Sequence, residues 1–301
     1  MSSIKESPQA RTGASQGLSA SRRAYNMGMR TLIYIAAAIV VVLLVFLLGY
    51  IFYRGLPNLS WTFLTAEESV VKDIQGIGPA ILNTLYVILA TLVVVLPLGV
   101  GAAIYLTEYA TNHKLVAAIE FATETLAGIP SIIYALVGVL IFAESLRLGK
   151  TLIAGALTLV IMTLPTVIRT TQESLKTVPQ SYREGSLGLG SGKWHMIRTV
   201  VLPSSIDGIV TGCILSIGRI VGESAVLLYT VGMSMSMQDF FRNGLESFFS
   251  ASGSTLSVAL YVYAKVRADF DLAFSVAVVL IVITLVINLA SSLVGRKLKK
   301  N

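Results

Sequence analysis

Charge is what this sequence most lacks. Of its 301 residues only 13% are Asp, Glu, Lys or Arg, while 54% are hydrophobic, a balance too apolar for a water-soluble domain. Cysteine is almost absent as well. Cys213 stands alone, which excludes an intrachain disulfide and a thiolate metal cluster; within its apolar surroundings it reads as a small packing residue. The two histidines, His113 and His195, are too isolated for a metal site or a proton relay and read as surface residues. No G-x-x-x-x-G-K-[ST] nucleotide loop is present, because "GLGSGKW" lacks the hydroxyl residue after Lys193. With no nucleophile, base and acid set visible either, the chain is expected to catalyse no reaction itself. The net charge of +7 does not point to nucleic acid, since the basic residues are dispersed among connections and tails with no basic face interleaved with aromatics.

What is present is apolar helix. A bilayer core needs about 20 apolar residues, and six runs meet that length: 31-53, 79-106, 126-143, 151-171, 205-232 and 272-294. The first, "TLIYIAAAIVVVLLVFLLGYIF", has no charge and reads as a lipid-exposed anchor. The others are interrupted by Pro97, Pro130 and Pro165 and carry closely spaced Gly, Ser and Thr, as helices do when their backbones pack tightly or bend around a path. Gly208, Gly212 and Ser216 form a small-residue ridge and Gly218 with Gly222 another, which places the fifth helix inside the bundle. The stretch before the first run, 1-30, lacks an apolar core and reads as a disordered cytoplasmic tail. It is not a cleavable signal, because the apolar run behind it is too long.

Orientation follows from Lys and Arg near the span ends. Lys5, Arg11, Arg22, Arg23 and Arg30 precede the first run; Arg296, Lys297, Lys299 and Lys300 follow the last, in a basic tail 295-301. Six spans put both ends on one side, the cytoplasm. The connection after the fourth run adds Lys176, Arg183, Lys193 and Arg198 to that side, whereas the outer loop 54-76 has mixed charge.

Two features exceed what an anchor needs. In "LSIGRIVGESAV" (215-226), Arg219 lies sixteen residues after Pro203, about 24 Å along a helix and well inside the bilayer. Glu223, one turn later, is placed to pair with it. Two readings stand: a structural lock between the pair, or an anion site whose guanidinium fork matches oxyanion geometry while Glu223 holds the fork when the site is empty. Arg169, in "LPTVIRTTQESL", is equally an inner-side anchor or a path residue, with Gln172, Glu173, Thr170 and Thr171 as polar lining. Glu108, Glu120 and Glu124 read as solvated or paired in the inner vestibule.

The second feature is the connection "EGSLGLGSGKWHMIRTVVLP", 184-203. It predicts two short helical pieces hinged at Gly190, the second capped by Ser191 and stopped by Pro203. With Trp194, Met196 and Ile197 set against Lys193, His195 and Arg198, a partner-docking elbow and an interfacial helix fit equally.

This stretch resembles the cytoplasmic loop of ABC-importer permeases, E-A-A, three residues, G, nine residues, I-x-L-P. Glu184, Gly190, Val200, Leu202 and Pro203 stand at its positions, with Gly185 and Ser186 for the alanines. Over residues 77-294, segments such as "AGIPSIIYALVGVLIF" and "GRIVGESAVLLYT" resemble the phosphate (Pst) branch, the A-type more than the C-type subunit. The resemblance implies an all-α membrane bundle of six transmembrane helices, with a type I (MetI-like) permease core over 77-294 and a docking elbow over 179-203. It implies a path through Arg219, Glu223, Arg169 and Gln172, and ATPase docking through Glu184, Gly185, Ser186, Gly190, Trp194, Leu202 and Pro203. The implied partners are a homologous C-type (PstC-like) permease, two copies of a cytoplasmic ABC ATPase (PstB-like) that bind the ATP and Mg²⁺, an external phosphate-binding protein (PstS-like), and the lipid of a prokaryotic inner membrane. No cofactor or metal is expected in this chain. The alternatives are the C-type subunit, an importer of another oxyanion or an amino acid, and, from other classes, a self-contained anion channel or ion-coupled carrier, which would not need the elbow, and a structural scaffold.

Overall fold

The computed structural model describes residues 20-68, 74-233 and 252-300, and among these there are helices and turns but no strand. Two compact units are present, one up to Tyr50 and one from Ile51 onward. The first is the greater part of helix α1 (Ala20–Gly55), which carries apolar side chains all round. The helix starts at Ala20, so residues 20-30, expected as disordered tail, are helical; 1-19 lie outside the described residues.

The second unit opens with a short α2 (Trp61–Thr65), capped where Ser60 Oγ accepts the Phe63 N–H at 3.0 Å. Helix α3 (Gly78–Ile104) carries Pro79 in its first turn and ends in a π turn, Tyr105–Tyr109. The third expected run, 126-143, corresponds to α5 (Ser131–Gly138, extended by a π segment to Ser145). Only its first two residues belong to the helix before it, α4 (His113–Ala127), which otherwise occupies the stretch between the second and third runs; the two helices are bent by 98° at the break. Gly128 and Pro130 account for this, since proline lacks the N–H and disfavours helical geometry in the residue before it. The Tyr134 hydroxyl pins the corner by donating to Leu126 O at 2.7 Å.

Helix α6 (Leu152–Lys176) runs through the middle of this unit, capped by Thr151 and keeping Pro165 in its interior. After it come α7 (Gln180–Gly188) and α8 (Lys193–Met196). The predicted stop at Pro203 does not occur. A π segment, Ile197–Val201, joins α8 to α9 (Leu202–Gly222), making one helix from Lys193 to Gly222. The wider π turn accommodates the proline ring and the carbonyl it leaves without a donor. Ser191 is not the cap either: Gly192 holds that position, and the Ser191 hydroxyl donates to Ser186 O at 2.7 Å.

The Gly208 and Gly212 ridge packs α9 onto α6, where a Cβ on either would collide with Ser174 Oγ or Thr170 Oγ1. Gly218 and Gly222 face open space instead. The expected span 205-232 breaks after Gly222 and resumes as α10 (Ala225–Thr230). Within the expected outer loop 233-271, residues 234-251 are outside the described set, and α11 (Leu256–Tyr261, with a π segment to Val266) buries Leu256, Ser257, Val258, Ala259, Val262 and Tyr263. Helix α12 (Phe270–Lys300) runs on through most of the expected basic tail. Among the described residues, five helices are long and apolar enough to cross a membrane, and the bent pair makes a sixth if it counts as one span. The main core joins Tyr134, Leu159, Met162, Ile217, Tyr263 and Val276.

Candidate functional site

Arg219 lies in the last turn of α9, half-buried, and its Nη1 donates to Thr166 Oγ1 on α6 at 3.4 Å. The expected pairing with Glu223 is not formed. The helix ends at Gly222, and Glu223 turns extended (φ −83°, ψ 109°), which removes the one-turn stacking on which an i,i+4 pair depends. Its carboxylate instead accepts the N–H groups of Ala225 (3.0 Å) and Val226 (3.2 Å), capping α10, while its carbonyl accepts from Ser257 Oγ at 2.9 Å. Glu223 therefore joins α9, α10 and α11 and does not hold the guanidinium.

No described carboxylate forms an ion pair with Arg219. A guanidinium at mid-bilayer costs about 2.5–3.5 kcal/mol on insertion scales, and one long bond to a neutral hydroxyl offsets little of that. Most of its five donors remain for a ligand. The Tyr134 phenol on α5 lies close enough to feel the guanidinium's charge. Arg219 and Thr166 thus bring α9 and α6 together beside the break in the fifth span, the kind of place where membrane proteins bind polar solutes.

Arg169 and Gln172 belong to a different cluster. Arg169 pairs with Glu124 (3.0 Å) and Glu173 (3.1 Å); Gln172 Nε2 and Lys176 Nζ both donate to Glu120, at 3.2 and 3.1 Å. Here α4 is tied to the C-terminal half of α6. Two cations face three carboxylates, an unfavourable field for an anion, so the geometry does not join Arg169 or Gln172 to Arg219. Thr170 Oγ1 donates to Thr166 O, and Thr171 Oγ1 is buried without a partner.

The elbow is built by α7, the turn at Gly190 and α8. Gly190 has φ +85°, a left-handed conformation that costs other residues about 1–2 kcal/mol, which is why glycine stands there. Ser186 and Ser191 bridge that turn through their hydroxyls at 2.7 Å. Glu184, Gly185, Trp194 and Pro203 are exposed, and Leu202 is half-buried against the cluster of Ala103, Ile104, Leu175, Met196 and Ile197. Tyr182, Leu187, Leu189 and Trp194 are exposed along the elbow, Leu189 to 92%.

Sequence reasoning missed Thr166 and Tyr134. Thr166 carried one signal, its place directly after the mid-helix Pro165; Tyr134 carried none, because its proximity to Arg219 depends on the bend before α5.

A bundle of membrane helices with a broken span beside a half-buried arginine, and a structured elbow at one end, defines a membrane transport subunit. The family model for the binding-protein-dependent transport system inner membrane component matches residues 95–300. The chain belongs to that family. It is 38% identical over 206 residues to the probable ABC transporter permease protein YqgI of Bacillus subtilis (strain 168), covering 68% of this chain and 70% of the relative. It is 32% identical over 291 residues to the phosphate transport system permease protein PstA 1 of Mycobacterium tuberculosis (strain H37Rv), covering 92% and 89%. Among solved structures it is similar to the bacterial ABC transporter that imports the acidic polysaccharide alginate (TM-score 0.62, 16% identity, 92% of this chain and 99% of that one). It is also similar to the MetNI methionine ABC transporter in an inward-facing conformation (TM-score 0.55, 19% identity, 74% and 94%). At these identities the structural likeness shows the fold alone: a MetI-like ABC permease.

Proposed function

We propose that this chain is the A-type permease subunit of an ATP-driven importer that carries inorganic phosphate into the cytoplasm. The observation that carries the reading is Arg219, held inside the bundle with no described carboxylate paired to it, in a chain whose relatives over nearly its whole length are phosphate permeases. A fixed fork of donors that stays charged at any physiological pH suits a tetrahedral oxyanion. Thr166 adds a hydroxyl beside the guanidinium, which a path can use for binding that is weak enough to allow release.

The chain is non-catalytic in this reading. A homologous C-type permease completes the path, two copies of a cytoplasmic ATPase bind ATP and Mg²⁺, and an external binding protein delivers phosphate. The four large apolar side chains Tyr182, Leu187, Leu189 and Trp194, all exposed within this short elbow, support docking of the ATPase, since a partner would cover them. The subunit resides in a prokaryotic inner membrane with both termini in the cytoplasm, as its basic ends favour.

Radiolabelled phosphate uptake, with subunit levels measured alongside, tests the reading. Arg219→Gln is expected to insert and assemble yet lose nearly all uptake, because the amide keeps hydrogen bonds but not the charge that offsets an anion's desolvation. Uptake at the unsubstituted level would sink the assignment.

A further inference from the structure

The elbow is held to the membrane helices in two different ways. Its second half is anchored by burial: Met196, Ile197 and Val201 pack with Ala103 and Ile104 of α3 and Leu175 of α6. Its first half has no such anchor. Helix α7 contains no buried residue, and only Arg183 and Ser186 along it are not exposed. Arg183 reaches back to the same two helix ends. Its Nε and Nη2 donate to Glu108 Oε1 at 3.1 and 2.9 Å, Nη2 also donates to Leu175 O at 2.8 Å, and Nη1 donates to Val178 O at 2.6 Å. Glu108 lies in the π turn that ends α3, and Leu175 and Val178 lie at and just after the end of α6.

We infer that Arg183 and Glu108 form the joint through which the docking elbow moves the inner ends of α3 and α6, making both positioning residues for transport. This rests on the reading of the elbow as an ATPase-docking element. Three observations separate the pair from an ordinary surface ion pair, which contributes little. The two side chains are 12% and 6% exposed, so water screens the contact poorly. The guanidinium is planar and meets its acceptors in several directions at once, which fixes the orientation of α7 as well as its distance, something a greasy contact does not do. Glu108 also has no described competitor. Of the other cations bordering the adjacent cavity, Lys176 is engaged by Glu120 at 3.1 Å, and Lys193 sits over the Tyr109 ring at 5.0 Å. A push on α7 thus reaches α3 and α6 together, and without the joint α7 keeps only its short chain connection to α6 through Val178, with no described side-chain hold on α3.

The test uses the complete importer in proteoliposomes, with ATP hydrolysed per phosphate translocated as the readout and co-purification of the ATPase as the control for assembly. Arg183→Gln and Glu108→Gln are expected to retain the ATPase and its hydrolysis while the ratio rises by about tenfold, within the range of coupling between sites. The double variant should be no worse than either single, as expected when both act through one contact. Glu108→Asp, which keeps the charge on a shorter stem, should recover part of the coupling. An unchanged ratio in the single variants, or additive losses in the double, would overturn the inference. So would failure of all variants, Glu108→Asp included, to accumulate, since the pair would then be a folding staple. A wild-type complex that shows no ATP-driven phosphate uptake would instead sink the functional reading.

Discussion

Arg219 and Glu223 are four residues apart, and the sequence alone makes them partners. The structure separates them. Arg219 was legible because a charge in an apolar run is expensive wherever the helix happens to end; the role of Glu223 was not, because it depends on whether the helix continues past Gly222. That break is fixed by contacts far along the chain, such as the bond from Ser257 to the Glu223 carbonyl. Glu223→Gln is therefore expected to retain most phosphate uptake, since an amide oxygen still accepts the Ala225 and Val226 N–H groups. Glu223→Leu loses the cap, at about 0.5–2 kcal/mol, and should lower subunit levels. Adding Arg219→Leu to it should rescue neither level nor transport, because no buried pair exists to be replaced. Arg219→Lys, which keeps the charge but not the fork, should transport at a reduced rate. Recovery of uptake by the double-leucine variant would show that the two side chains meet in the working protein.

Among the elements, legibility followed the strength of the local signal. Long apolar runs gave α3, α6 and α12; the glycine spacing, read as placing the fifth helix inside the bundle, holds only for the Gly208 and Gly212 face that packs on α6, and most of α9 is not buried. Gly128 and Pro130 announced a break, but a hydropathy window counts apolar residues and cannot see a bend of 98°. The α11 segment was missed for length: it is too short to span, and only its packed surroundings make it core. The two glycine ridges also look alike in sequence yet differ in structure. Gly208→Leu should prevent accumulation of the subunit, because the new side chain would enter the space of Ser174 on α6 and overpacking of this kind is strongly destabilising. Gly218→Leu enters open space and should leave the subunit at normal levels in the membrane. Immunoblots of membrane fractions compare the two, and equal loss would contradict this packing of α9 on α6.

For the whole molecule, the number of crossings depends on the bent pair. If α4 and α5 together cross once, the spans number six and the ends share a side; if they do not, the spans number five and the ends lie on opposite sides. The geometry favours crossing. Glu120 and Glu124 tie α4 to the elbow end of α6 through Lys176 and Arg169, so the chain leaves α4 on the side of the elbow. Yet α6 starts at Leu152 and needs its full length to return to that side at Lys176. Something must carry the chain outward in between. The 8 residues of α5 and the 7 of its π extension supply about 22 Å at helical rise, most of the roughly 30 Å hydrocarbon core. On a Cys213→Ala background, a membrane-impermeant thiol reagent should reach Lys150→Cys and Ser60→Cys from outside only, and His113→Cys, Lys193→Cys and Arg296→Cys from the cytoplasm only. Arg30→Cys should behave as Arg296→Cys does. Labelling of His113→Cys and Lys150→Cys from the same side would show that the bent pair re-enters without crossing.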